Sequence, residues 1–415
     1  MNGMDAMIIR SVLMFVLGFL TGLVVMAAIL PSITPRPMAA LLRQLFKIPS
    51  FKPPEDWSTV KQDVDSMVDV DYGDGGLTFD VHWPSSSMME DNPVILWIHG
   101  GGFVGGSKMD TTGYCMTLAS RGFTVVNIDY GLAPRYHHPR QVLNVDEVLC
   151  KISRMAEDGR SHPDPSRGLI LAGDSAGAHI AAEYAALKTN PGYQAELKVS
   201  LHSSYDVDGV VLLCGLYSLS SFVEGSWWRR PIRFMSKQIG WAVTGHRYWY
   251  HSGQTERMDV ISHITGDFPP ALLSDGNWWT FDNQLSVVES ALDGRGIRHE
   301  VVEFPRSKWR RLPHEFQFDL TRPESIVVFD KLVGFCRDVA QHGGSQPIDG
   351  SGGSRGNTMH REIDVYGRVP GTDSCVVPQD AGSDGDGARD GEIVNGDAQD
   401  GGVLADGSGS MALCR

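Results

Sequence analysis

The sequence predicts an α/β domain in which a mostly parallel sheet of eight strands is flanked by helices. Two observations support this fold class. Between residues 57 and 340, short runs rich in β-branched residues alternate with helical patterns, as they do in proteins built from β-α-β units. Most of these runs are apolar throughout, which is typical of strands buried on both faces of a parallel sheet.

The first two predicted strands form a hairpin at one edge of the sheet. They cover residues 64–72 and 78–83, and the sequence GDGG near their junction is typical of a tight turn. The remaining strands follow in chain order at 94–98, 124–129, 168–172, 209–213, 271–274 and 300–304. In open α/β sheets the reacting groups lie just beyond the carboxyl ends of the strands, so those ends are where chemistry is expected.

Composition and charge limit the classes of function. The chain has 415 residues, with 36 Lys and Arg against 50 Asp and Glu, and the resulting net charge of −14 argues against sequence-independent binding of nucleic acid, which needs a basic surface. The six cysteines are scattered and form no CxxC pair, so neither a zinc site nor a disulfide framework is expected. The sequence therefore predicts no cofactor, no bound metal and no nucleic-acid partner.

The N-terminal end differs in composition from the domain. Residues 11–30 carry no charge and are long enough to cross about 30 Å of hydrocarbon as a helix, which predicts a single-pass membrane anchor over residues 1–31 and a linker over 32–56. A cleaved signal peptide and a buried core helix are the alternatives, although a signal peptide has a shorter apolar region. Basic residues after the run, at 36, 43 and 47, favour a cytoplasmic catalytic domain.

The C-terminal end is predicted to be disordered. Residues 341–415 contain 17 Gly and 12 acidic residues against five basic ones, a composition of low hydrophobicity and high net charge that cannot build a core. The predicted α/β domain therefore covers residues 57–340, between the linker and this acidic tail.

The clearest chemical motif follows the predicted strand at 168–172. The chain there reads GDSAG over residues 173–177 and continues into a helical pattern. A serine on so tight a turn takes a strained backbone conformation that holds its Oγ out of the sheet, and its neighbours must be small because strand and helix nearly touch. This context favours Ser175 as a nucleophile, whereas Asp174 is expected to hold a loop by hydrogen bonds.

A glycine-rich loop, His99 to Phe103, follows the strand at 94–98. Acyl transfer places negative charge on a carbonyl oxygen, and losing one N–H donor aimed at that oxygen raises the barrier by about 2.7 to 4 kcal/mol. Gly101, Gly102 and Ala176 are therefore candidate oxyanion-hole donors. A glycine-rich turn that binds no ligand is the alternative.

A serine nucleophile requires a base, and the base requires a carboxylate that holds it in one tautomer. His314, ten residues past the last predicted strand, is the candidate base. Two acids follow the strand at 271–274. Asp275 stands at the strand's carboxyl end and is preferred, while Asp282 is the alternative, because the helix dipole alone explains an acid in a first helical turn.

Taken in order, the motifs HGGGF, IDYGLAP, GDSAG and HEF resemble those of the α/β-hydrolase fold, and within it the hormone-sensitive-lipase-like esterases and lipases. The resemblance covers about residues 60–338. It implies that Ser175 is the nucleophile, that His314 is the general base and that the oxyanion donors are Gly101, Gly102 and Ala176.

The sequence departs from that family after the seventh strand. The family usually has Gly-x-x-Asp there, whereas this chain has Gly276-Asn277-Trp278-Trp279, so the acid stays open between Asp275 and Asp282. A second departure, GLAPR at 131–135 in place of RLAPE, is expected to affect loop packing rather than chemistry.

These motifs predict a serine hydrolase that cleaves small-molecule carboxylic esters through an acyl-enzyme. An amidase or peptidase of the same fold and a catalytically inactive binding protein are the alternatives, and the presence of His314 favours an enzyme. Residues 215–268 contain four tryptophans and are predicted to form a lid over an apolar substrate site. The alternative is that these tryptophans only pack the segment onto the sheet.

Overall fold

The chain is described here from a computed structural model. The structure describes residues 3–45, 51–73, 75–85, 92–158, 162–224, 232–281, 283–306, 311–342 and 359–360. At its centre lies one mixed β-sheet, and all eight predicted strands are present in it. The strands are β1 (Val64–Gly73), β2 (Leu77–Pro84), β3 (Val94–Ile98), β4 (Thr124–Ile128), β5 (Leu169–Asp174), β6 (Gly209–Leu213), β7 (Ala271–Ser274), β8 (His299–Val302) and β9 (Met359–His360).

The sheet order is β1-β2-β4-β3-β5-β6-β7-β8-β9. β1 and β2 form the predicted edge hairpin and are antiparallel to their neighbours, whereas the strands from β4 to β9 pair in parallel. Gly75 and Gly76 in the hairpin turn have φ angles of +89° and +76°, which glycine adopts without a steric penalty. The two-residue strand β9 lies in the segment predicted to be disordered, and the rest of that segment beyond His342 is outside the described residues.

The central strands are buried on both faces, as their continuous apolar runs predict. Every residue of β3, β5, β6 and β7 is buried. Successive side chains of a strand point to opposite faces, so Leu96 and Ile98 of β3 enter one hydrophobic core while Ile95 and Trp97 enter the other. The two cores fix the sheet between two layers of helices.

The helices pack against these two faces. Buried side chains of α5 and α6 belong to the first core, and those of α4 and α13 belong to the second. The helices are α1 (Gly3–Ile33), α2 (Arg36–Leu45), α3 (Trp57–Gln62), α4 (Lys108–Ala119), α5 (Arg140–Glu157), α6 (Ala176–Thr189), α7 (Pro191–Leu197), α8 (Leu219–Glu224), α9 (Ile232–Thr244), α10 (Gln254–Arg257), α11 (Val260–His263), α12 (Gln284–Asp293) and α13 (Pro323–His342).

The predicted N-terminal membrane anchor is not supported. Crossing a bilayer requires a long, continuously apolar helix, and none of the helices in the described part of the chain meets that requirement. Within the predicted linker, α2 packs on the domain: Ala39 and Leu42 are buried, and Arg43 Nη2 donates to the carbonyl of Ala133 at 2.6 Å.

Candidate active site

Ser175 lies on a strained turn between β5 and α6. Its φ of 51° and ψ of −114° are unfavourable for a residue with a side chain, and its backbone N–H donates to the carbonyl of Leu213 at 2.8 Å. A Cβ added at Gly177 would lie 1.9 Å from the carbonyl oxygen of Ile98. The turn therefore requires glycine at residue 177, in agreement with the small neighbours that the motif predicts.

The structure brings His314 to Ser175 across 139 residues of sequence. Nε2 of the imidazole lies 2.9 Å from Ser175 Oγ, so the hydroxyl can donate its proton when the ring is protonated on Nδ1. The ring also packs edge-on against Phe281, with 5.0 Å between the ring centroids. The loop after β8 thus places an imidazole over the serine, as the motif order predicts.

Asp275 lies at the carboxyl end of β7, close to the imidazole. One carboxylate oxygen, a ring nitrogen of His314 and Sγ of Cys214 lie within 4.8 Å of one another. No hydrogen bond joins Asp275 to His314, although both residues are among those described; instead Asp275 Oδ1 accepts the N–H of Gly276 at 2.7 Å. The alternative acid, Asp282, lies outside the described residues.

Burial decides the protonation behaviour of Asp275. The side chain is buried, and this raises the pKa of its carboxyl from 3.8 to about 6, while the nearby imidazole of His314 and the Cys214 thiol act in the opposite direction. Asn277, in the sequence that departs from the family pattern, makes two hydrogen bonds to the backbone. Its Nδ2 donates to the carbonyl of Phe304 at 3.2 Å, and its Oδ1 accepts the N–H of Leu312 at 2.9 Å. Asn277 thus fixes the path of the loop that carries His314.

The glycine loop after β3 lies beside Ser175. Gly101 and Gly102 have φ angles of +109° and +59°, and a Cβ on Gly101 would lie 2.2 Å from the carbonyl oxygen of Gly105. These two glycines and Ala176 line the same cavity as Ser175 and His314. The three predicted donors and the serine therefore border one space.

Asp174 holds this loop as the sequence predicts. Its carboxyl accepts the Gly100 N–H at 2.8 Å and the Trp97 indole N–H at 3.1 Å. Burial, together with the neighbouring Glu315 carboxyl that hydrogen-bonds to it, raises the pKa of Asp174 well above its usual range. Asp174 therefore contacts both the glycine loop and Glu315, the residue that follows His314.

Sequence reasoning did not identify Glu315. Its Oε1 lies 3.7 Å from His314 Nε2, and its φ of 61° is unfavourable for a residue with a side chain. The available signal was its position, one residue after the candidate base. Cys214 was missed as well, because nothing in the sequence places residue 214 near residue 275.

An apolar cavity of about 440 Å³ opens onto Ser175. Part of its wall comes from the predicted lid segment 215–268, and a further part from α2. The apolar lining side chains from these regions are Leu45, Leu216, Leu219, Phe222, Ile232, Met235, Ile239, Val243, Trp249 and Met258, and the polar ones are Ser236 and Thr244. A cavity of this size with few polar groups suits a small apolar ligand.

Of the two described tryptophans of the lid segment, Trp249 lines the cavity and Trp241 does not. Trp249 is 2% exposed, lines the cavity and packs on α9, where its indole N–H donates to the carbonyl of Lys237 at 3.2 Å. A Cβ on Gly240 would lie 2.0 Å from the same indole ring. Trp249 therefore both packs the segment and borders the cavity, whereas residues 227 and 228 lie outside the described residues.

A strained serine between strand and helix, a histidine on its Oγ and a glycine loop beside both, all on this sheet, define an α/β hydrolase. The chain belongs to the BD-FAE family, whose model matches residues 79–291. The predicted relation to the hormone-sensitive-lipase-like esterases is confirmed by this match and by the relatives that follow.

Two curated proteins illustrate the similarity. The chain is 32% identical over 153 residues to esterase LipC of Mycobacterium tuberculosis, a stretch that covers 35% of this chain and 36% of LipC. It is 30% identical over 164 residues to a kynurenine formamidase of Danio rerio, covering 38% of this chain and 49% of that protein. The chain thus matches between about a third and a half of the length of these two relatives.

Solved esterase structures share the fold. Esterase B of Lactobacillus rhamnosis superimposes with a TM-score of 0.60 at 20% identity, over 74% of this chain and 96% of that chain. The hyperthermophilic esterase of Pyrobaculum calidifontis gives a TM-score of 0.53 at 22% identity, over 73% of this chain and 94% of that chain. At such identities the likeness concerns the fold alone.

Proposed function

We propose that this protein is a serine esterase that cleaves small carboxylic esters through an acyl-enzyme on Ser175. The observation that carries the proposal is the 2.9 Å approach of His314 Nε2 to Ser175 Oγ beside the glycine loop. Oγ bonds to the carbonyl carbon of the ester while its proton passes to Nε2. The oxyanion that forms accepts hydrogen bonds from the backbone N–H groups of Gly101, Gly102 and Ala176.

His314 then acts as a general acid, and hydrolysis of the acyl-enzyme follows. The protonated His314 gives its proton to the leaving alcohol as the tetrahedral intermediate collapses to the acyl-enzyme. A water molecule then attacks the acyl carbon while one of its protons passes to Nε2. As this second tetrahedral intermediate collapses, the ester bond to Oγ breaks and His314 returns the proton to Oγ, which releases the acid and restores Ser175. Asp275 is the proposed acid that stabilises the charged imidazole, because its carboxylate lies within 4.8 Å of a His314 nitrogen. Glu315 also approaches the ring, but at Nε2, the nitrogen that faces Ser175 Oγ.

The cavity supports an apolar acyl or alcohol group of modest size. Its volume of about 440 Å³ and its aliphatic lining favour uncharged substrates. The segment 215–268 is the proposed lid, since α8, α9 and the turn around Trp249 form much of the wall.

The test uses the full chain with a panel of p-nitrophenyl esters and a fluorophosphonate probe. We expect hydrolysis and a covalent label on Ser175, and we expect both Ser175→Ala and His314→Ala to lower kcat by about 10⁶-fold, as loss of either member does in other serine hydrolases. Ser120→Ala, on a serine whose Oγ bonds the Thr117 carbonyl, is the matched control and should keep full activity. Absence of turnover and of labelling in the folded chain would exclude the esterase and favour the binding-protein alternative.

A second candidate, cleavage of an amide or formamide, is favoured by the similarity to kynurenine formamidase. The two candidates share Ser175 and differ in the leaving group. The ratio of kcat/KM for matched ester and anilide substrates with the same acyl group separates them. An ester-to-anilide ratio near one or below would support the amidase, and a ratio far above one would support the esterase.

A further inference from the structure

Three metal-ligating side chains meet outside the candidate active site, where α12 ends and β8 begins. Glu289 and Asp293 are four residues apart on α12 and so share one helix face. His299 is the first residue of β8. One carboxylate oxygen from each acid and one ring nitrogen of the histidine lie within 4.8 Å of one another, and none of the three residues lines the cavity at Ser175.

The histidine is held in the orientation that a metal ligand requires. His299 is 4% exposed, and its Nδ1 lies 2.8 Å from the carbonyl oxygen of Ile297. A carbonyl only accepts, so Nδ1 carries a hydrogen, and in the neutral form of the ring Nε2 then has the lone pair that binds a metal. A hydrogen bond from the second nitrogen to a backbone carbonyl is the usual support of a metal-binding imidazole.

The other ring nitrogen, Nε2, points at the carboxylates. His299 Nε2 is shielded from solvent and makes no hydrogen bond, and the nearest acidic oxygen, Asp293 Oδ1, is 3.7 Å away. In tetrahedral coordination with bonds of about 2.1 Å, ligand atoms are separated by about 3.4 Å. A contraction of a few tenths of an ångström would therefore bring Nε2 and Oδ1 into the coordination geometry of one ion.

We propose that Glu289, Asp293 and His299 bind one divalent transition-metal ion of the zinc class, with water completing its coordination. One imidazole and two carboxylates suit Zn²⁺ and its neighbours, whereas Ca²⁺ and Mg²⁺ favour sites made of oxygen ligands alone. Two carboxylates and a neutral histidine also balance the charge of the ion.

The cations on neighbouring positions are directed to other acids. Arg298 pairs with Asp338 at 2.5 Å, and Lys331 pairs with Glu300 at 2.8 Å. Each of these two cations therefore has a charge partner outside the proposed site.

The proposed ion would join the last turn of α12 to β8. The first residue of α12, Gln284, is buried, and its side-chain oxygen accepts the N–H groups of Tyr217 and Ser218 at 2.8 Å each. Fixing both ends of α12 would stabilise the segment between β7 and β8 without placing the ion at the reacting atoms. The expected role is therefore structural.

The test uses the full-length chain in a Cys214→Ser background, because Cys214, Asp275 and His314 form a second cluster that could take up metal. The chain is stripped with EDTA and titrated with ZnCl₂ by calorimetry. We expect one Zn²⁺ per chain with a Kd in the micromolar range or tighter, visible absorption bands when CoCl₂ is used, and a rise in Tm of about 5 °C. Mg²⁺ at the same concentration should give none of these.

Glu289→Gln and Asp293→Asn are the informative variants, because each removes one carboxylate with little change in shape. The fold of each variant can be checked after the metal is stripped. Each should weaken zinc binding at least tenfold. Asp338→Asn, an exposed acid nearby that pairs with Arg298, is the matched control and should bind zinc as the parent does. Absence of saturable binding in the parent, or an unchanged Kd and Tm rise in the Glu289→Gln/Asp293→Asn double variant, would overturn the proposal.

Discussion

Replacing Asp275 by Asn should separate the effect of this carboxylate on stability from its effect on catalysis. In the folded chain the side chain is buried, and burial raises the pKa of the carboxyl from 3.8 to about 6 despite the opposing influence of His314. The charged form is therefore less stable in the folded chain than in the unfolded chain. Asparagine has nearly the same shape and carries no charge at any pH.

The magnitude follows from the two pKa values. The difference between 3.8 and about 6 corresponds to roughly 3 kcal/mol of destabilisation at about 1.4 kcal/mol per pKa unit. Because the folded pKa is the higher one, this penalty is absent below about pH 4, grows between pH 4 and 6, and is complete above pH 6. At pH 8, Asp275→Asn should therefore be more stable than the parent by up to about 3 kcal/mol, and at pH 4 the two should be equal.

The same substitution should lower kcat by about 10⁴-fold if Asp275 is the acid of the proposed triad, because a neutral amide no longer stabilises the charged imidazole. Thermal unfolding at pH 4, 6 and 8 measures the change in stability, and ester hydrolysis measures the change in kcat. The matched control is Asp319→Asn. Burial raises the pKa of Asp319, but the hydrogen bonds from Lys52, Thr321 and Arg322 outweigh burial and hold it well below its usual range.

Because its pKa is lowered in the folded chain, Asp319 stabilises the fold when charged. Asp319→Asn should therefore be less stable than the parent at pH 8, whereas Asp275→Asn should be more stable. An Asp275→Asn chain that is less stable than the parent at pH 8 would refute the reasoning about burial. One that keeps full activity would refute the proposed role of Asp275 and direct attention to Asp282.

Two further substitutions test the turn and the cavity. Gly177→Ala should strongly lower both Tm and activity, because its Cβ would lie 1.9 Å from the backbone oxygen of Ile98, whereas Gly334→Ala on α13 meets nothing within 4 Å and should leave activity intact and Tm equal or higher. Equal Tm values for the two variants would contradict the close approach of α6 to β3. Ile239→Trp should narrow the cavity from α9 and lower kcat/KM for octanoate relative to acetate esters by about tenfold or more. An unchanged ratio would mean that the acyl chain does not occupy this part of the cavity.

The strands could be predicted from the sequence because their signals are local. A short, continuously apolar run such as residues 94–98 is stable mainly in the middle of a sheet, where both of its faces are buried. The turn glycines near residue 75 determine where the hairpin reverses. The tight turn at Ser175 was predictable for the same reason, since small residues on both sides permit the contact between strand and helix. The N-terminal apolar run shows the limit of such reasoning, because composition alone predicted an anchor that the described helices do not support.

The pairing of distant side chains was decided by the tertiary structure. Sheet order and loop path determine that Cys214 approaches Asp275, that Glu315 meets Asp174, and that the acids of α12 face His299. No local pattern encodes the first two contacts, because each joins elements that are far apart in sequence. The third joins consecutive elements, and it depends on how α12 packs beside β8. The sequence by itself determined the elements and the chemical groups at their ends, and the fold decided which of those groups share one space.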